Sequence, residues 1–134
     1  MKKIQKNGTI YAIYDSLNTL EKGSIWYGEK TDGIQVSRMS HDKGKSFKAH
    51  IHKFNPRSLN YTQECIIVIK GKIEFSFYDE NKVFLDKVIL NSDDMIISYK
   101  GYHGAEVLKN NTVFFEIKNG PFIDVDADKE FMIQ

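Results

Sequence analysis

Cysteine, proline and net charge are all scarce in this chain of 134 residues, and each scarcity excludes something. A single cysteine, Cys65, cannot close an intrachain disulfide, which suits a reducing compartment. Lys and Arg total 19 against 18 Asp and Glu, a formal charge of +1, so the basic excess of a nucleic-acid binder is missing. The densest basic cluster, Lys43, Lys45 and Lys48, is interrupted by Gly44 and Phe47. The longest apolar run, residues 65–69, falls far short of the roughly 20 residues of a membrane helix. The opening MKKIQKNGTI is basic but lacks the apolar stretch of a secretory leader. A cytoplasmic protein is expected, with neither nucleic acid nor a membrane as partner. No linker, internal repeat or low-complexity segment divides the chain.

What is present is enough for one folded domain: 41% hydrophobic residues, of which many are aromatic (13% of the chain). Short β-rich runs are broken by Gly, Asn and Asp. Strands are expected over 9–14, 24–28, 34–41, 47–52, 62–69, 73–77, 83–90, 95–99, 105–108 and 112–118. One or two helical turns are expected over 15–22, capped by Asp15 or Ser16 and ended by Gly23. Pro56 excludes a central strand over 55–61. Turn signals every 8–12 residues are those of an all-β sandwich or barrel.

Chemistry concentrates in GKSFKAHIHKFNPRSLNYTQECIIVIKG, residues 44–71. On a strand, His50 and His52 share a face, and Glu64 shares one with Ile66 and Val68. A carboxylate at the head of a buried apolar strand is costly unless paired or bound to a cation. Two imidazoles and a carboxylate converging on a barrel interior would form a metal site. A His-x-His pair by itself is more often two polar residues on a strand surface. His41 reads as a surface residue, Gln63 as pointing away from Glu64, and Cys65 as a small buried hydrophobe.

These spacings resemble a known pattern. Gly44-x5-His50-x-His52, then Glu64-x6-Gly71, is similar to the first cupin motif, with eleven residues between His52 and Glu64 where three or four are usual. The second motif is matched loosely by Asp93-x5-Tyr99-x-Gly101-x-His103, with Asp93 for glycine, Tyr99 for proline and one residue fewer before the histidine. Arg57 ahead of Thr62-Gln63-Glu64, the His103-Gly104 corner and IKNGPF (117–122) with Asp128-Lys129 resemble small bacterial WbuC-like cupin metalloproteins, often encoded near surface-polysaccharide genes. The resemblance runs from about residue 34 to the end.

It implies a cupin fold, a double-stranded β-helix or jelly-roll barrel. One cupin domain would span 1–134, with dimer-forming strands in 1–33, the barrel in 34–118 and a tail in 119–134. The implied metal ligands are His50, His52, Glu64 and His103, holding iron, manganese, nickel or zinc with a position left open. Arg57, Tyr99, Glu116 and Lys118 are the candidate substrate-binding residues. Bland readings stand beside each: a solvated loop cation for Arg57, packing for Tyr99 and Tyr61, a solvent-facing edge for Glu116 and Lys118. The implied function is binding a metal and acting on a small polar molecule, such as a nucleotide sugar or other carbohydrate intermediate, by isomerisation or epimerisation. Alternatives are a non-catalytic, metal-dependent small-ligand binder and an iron(II) dioxygenase. The aromatics Tyr11, Tyr14, Trp26 and Tyr27 exceed what a short strand layer needs, and a homodimer through these strands is expected.

Overall fold

The strands follow from alternation. In the computed structural model, which describes residues 1–133, the run KIEFSFY turns Ile73, Phe75 and Phe77 inward and its polar residues outward. In chain order the strands are β1 (Lys2–Lys6), β2 (Thr9–Ser16), β3 (Gly23–Tyr27), β4 (Val36–Ser40), β5 (Glu64–Lys70), β6 (Lys72–Tyr78), β7 (Phe84–Asn91), β8 (Asp94–Ser98), β9 (Tyr102–Val107) and β10 (Val113–Lys118). One short helix, α1 (Val125–Asp128), follows, capped by the Asp124 carboxylate, which accepts from Ala127 N. No helix among the described residues is long and apolar enough to cross a membrane.

All strand pairs are antiparallel. A five-stranded sheet runs β1-β2-β8-β5-β10, a three-stranded sheet runs β7-β6-β9, and β3-β4 is a separate hairpin. The first two sheets face one another around Ile4, Ala12, Val68, Phe77, Leu90 and Ile96. On the other face of the five-stranded sheet, the hairpin covers Ile13, Cys65, Met95, Ile97 and Tyr99 with Tyr27. Strand β8 therefore lies between two cores, and all of its residues are buried. Tyr27 Oη donates to Asp15 Oδ2 (2.7 Å), fastening hairpin to sheet.

The all-β class expected from the sequence is present, but the barrel expected over 34–118 is not closed. Its ladders end at β1 and β10 in one sheet and at β7 and β9 in the other, leaving a sandwich with free edges. The strand expected over 47–52 is absent: residues 45–61 run without regular structure and lie exposed. Its alternation is real (Phe47, Ala49 and Ile51 against Lys48, His50 and His52), but no ladder partner satisfies its backbone, and Ile51 is 89% exposed. The helical turns expected over 15–22 are also absent. Strand β2 continues through Ser16, and Gly23, at φ +104°, opens β3 instead of closing a helix.

Strand β1 was not expected, although Asn7-Gly8, both at positive φ, is the signature of a tight hairpin. Of the aromatics read as dimer-forming, Tyr11 and Tyr27 are buried within the chain itself, and Trp26 is exposed. Intrachain packing thus accounts for two of the four residues behind that expectation.

Candidate functional site

Period-two alternation carries Glu64 and Ser98 to the interior face. Glu64 lies two residues before buried Ile66, and Ser98 two after buried Ile96. Ladder register aligns Lys118, Glu64 and Ser98 in one row across β10, β5 and β8. From the facing sheet, His103 on β9 reaches across the gap. Its Nε2 stands 2.6 Å from Glu64 Oε1, and its Nδ1 stands 3.2 Å from Ser98 Oγ. The His103 ring also packs near Phe77, the centroids 6.3 Å apart.

Two proton arrangements satisfy this line. A neutral imidazole donates from Nε2 to Glu64 and accepts the Ser98 hydroxyl at Nδ1, or an imidazolium donates to both oxygens. The Glu64 side chain is 10% exposed and that of His103 33%, so the pair is sheltered but open on one side. Burial pushes the Glu64 carboxyl up. The His103 hydrogen bond and charge, with Lys129 and Lys118 behind them, outweigh burial and hold the group below its ordinary value.

The C-terminal tail adds a second layer. Lys118 Nζ lies 3.5 Å from Glu116 Oε1, 3.6 Å from Asp128 Oδ2 and 4.7 Å from the Phe122 ring centre. Asp128 Oδ1 accepts from Thr62 Oγ1 at 2.6 Å. The Thr62 hydrogen bond, with Lys118 and Lys129, draws the Asp128 carboxyl below its ordinary value. Beside this network a cavity of about 280 Å³ is lined by Arg57, Leu59, Tyr61, Thr62, Asn119 and Pro121 among others. Asn119 shapes it, accepting from Gln63 N at 2.7 Å and donating to Tyr61 O at 3.1 Å.

Of the expected metal ligands, Glu64 and His103 meet. His50 and His52 lie exposed on the irregular segment, their rings 5.1 Å apart, with His50 Nδ1 2.9 Å from Lys48 O. No group of three or more His, Cys, Asp or Glu able to hold a metal is gathered among the described residues. Donors about 2.0–2.2 Å from one ion stand roughly 3 Å apart. The 2.6 Å between His103 and Glu64 is therefore the spacing of a shared proton. The donor chemistry suits a transition metal, but this spacing suits a hydrogen bond.

Of the expected substrate-binding residues, only Arg57 lines the cavity, while Lys118 and Glu116 pair with each other at 3.5 Å on β10. Tyr99 sits on the opposite face of the sheet, in the core under the hairpin. Cys65 is buried there too, its thiol pushed up by burial to about 11. Ser98 escaped the sequence reading, although its place two residues after Ile96 was a signal for the interior face. The chain matches no family model, no curated protein and no solved structure.

Proposed function

We propose that this chain is a cupin-like metal-binding protein that acts on a small polar molecule, of the class of nucleotide sugars or other carbohydrate intermediates. One observation carries the reading: the sheltered Glu64–His103–Ser98 line, which joins the two facing sheets. Glu64 and His103 are half of a ligand set, and His50 and His52 complete it when the segment 45–61 lies along the free edge of β9. The backbone of that segment then gains the ladder it lacks. A bound divalent ion would supply Lewis-acid polarisation of a carbonyl or hydroxyl. The chain's own residues do the rest. Arg57 holds a carboxylate or phosphate of the ligand bidentately, Lys118 adds positive charge beside it, and Ser98 fixes the His103 ring.

The test is metal analysis of the purified protein, followed by turnover of deoxy-keto sugar nucleotides with and without added metal. Turnover that needs metal and is lost in His50→Ala supports the proposal. No turnover, with His50→Ala indistinguishable in metal content, sinks it. A metal-dependent thermal shift with small anionic ligands and no product would support the non-catalytic form. Oxygen uptake with iron but not zinc would support the dioxygenase form. The 2.6 Å hydrogen bond favours a second reading, in which His103 and Glu64 move a proton without metal. Full activity in metal-free protein would select it.

A further inference from the structure

On the opposite face of the five-stranded sheet lies a second cavity, of about 180 Å³, lined by Gly8, Ile10, Gly28, Glu29, Asp32 and Tyr99. Tyr99 is 6% exposed, and its hydroxyl has no hydrogen-bond partner among the described residues. A buried polar group left unpaired is costly, and such groups in folded proteins are nearly always satisfied by protein, water or ligand. The hydroxyl faces the notch left by Gly28. A Cβ placed on Gly28 would stand 2.5 Å from both Tyr99 Oη and Asp32 Oδ2, so the missing side chain leaves these oxygens bordering one gap. Gly28 sits at φ +73°, a conformation that also disfavours any larger residue.

The gap is negatively charged. Neither Glu29 nor Asp32 takes part in an ion pair among the described residues. Asp32 Oδ2 accepts only the Glu29 backbone N–H, at 2.7 Å. The nearby carbonyls of Glu29, Lys30 and Asp32 receive the Gln35 side-chain amide, which fixes the turn and leaves the carboxylates free to turn to a ligand.

We propose that this notch binds the primary ammonium group of a small organic molecule. An ammonium carries three N–H donors and no acceptor, which matches two carboxylates and one phenol oxygen. A calcium ion would require six to eight oxygens, more than these side chains offer. Ile10 supplies an apolar wall for a short carbon chain. Burial, with the charges of Asp32 and Glu29 beside it, pushes the phenol well above its ordinary value, so it stays protonated and offers its lone pairs to a donor. The site is separate from Glu64 and His103 and stands or falls without them.

The experiment is an amide NMR titration of the full chain with n-propylammonium chloride, with tetramethylammonium and sodium chlorides as controls. Saturable shifts at Gly28, Glu29, Asp32 and Tyr99, near the millimolar range, are expected from propylammonium alone. Asp32→Asn and Tyr99→Phe should each weaken binding about tenfold. Asp32 and Glu29 lie on a surface turn, so Asp32→Asn and Glu29→Gln report even if Tyr99→Phe folds poorly. No saturation, equal shifts with tetramethylammonium or sodium, or undiminished affinity in Asp32→Asn would each overturn the proposal.

Discussion

The two flanks of the sandwich treat the same kinds of residue in opposite ways. Where β1, β2 and β8 face β6 and β7, Phe77 is 0% exposed, and Ala12, Val68 and Leu90 are equally enclosed. Where β9 and β10 end the two sheets, Phe115 is 60% exposed, and Val107, Val113 and Ile117 are bare as well. Composition does not separate the flanks, since both are aromatic and aliphatic strands. A covering layer does. The closed flank has strands on both sides of its apolar side chains, and the open flank has free edges beside an irregular segment. The sheltered imidazole and carboxylate sit at the boundary between them. The stable half thus carries a rigid row of ladder positions, and the open half supplies access.

The largest expected effect comes from the closed flank. Phe77→Ala should cost about 3–5 kcal/mol in chemical denaturation, because transfer and cavity terms add where the surroundings cannot collapse. Next is the boundary. His103→Ala should cost about 1–3 kcal/mol by leaving Glu64 buried without its partner. A double-mutant cycle with Glu64→Gln should recover part of that loss, since the neutral amide no longer needs the imidazole. Additive losses would mean that the pair is not coupled.

A smaller effect is expected from the Lys6–Asp79 contact that ties β1 to the β6–β7 turn, at 2.6 Å. The Lys6 hydrogen bond and the backbone N–H groups of Val83 and Asn81 hold the Asp79 carboxyl below its ordinary value. A depressed carboxyl stabilises the fold above its unfolded value of about 3.9 and loses that contribution as pH falls through the lower folded value. Asp79→Asn should therefore weaken the protein at neutral pH and flatten its acid-side decline. An unchanged decline in an acid titration would contradict the assignment. The smallest effect belongs to the open flank, where Phe115→Ala should change stability by no more than about 0.5 kcal/mol. A loss like that of Phe77→Ala would erase the contrast and mean that something covers β10 in solution.

Much of the closed flank was legible in the sequence, because period-two alternation there coincides with real ladders. Ile73, Phe75 and Phe77 face inward as their spacing requires, and Glu64 shares the face of Ile66 and Val68. Alternation states which residues share a face, not whether a strand finds a partner. For that reason 47–52 could carry a strand pattern and yet lie outside the ladders. The 15–22 stretch failed for a related reason: a capping residue and two leucines suit a helix, but extension of β2 won the first two positions. Within the site, Glu64 and His103 were legible as chemistry-bearing residues, while their mutual contact depends on how two sheets face each other, which no local pattern encodes. Ser98 and the Tyr99–Asp32 notch are products of that same packing.

Ion titration tests the central claim most directly. Manganese, nickel and zinc titrated calorimetrically into the intact chain should show about one ion bound per chain, weakened at least about tenfold by His103→Ala and by the double substitution His50→Ala with His52→Ala. Uptake indifferent to all of these substitutions, or no uptake of any ion, would contradict the account and leave the His103–Glu64 line as a hydrogen bond between two sheets.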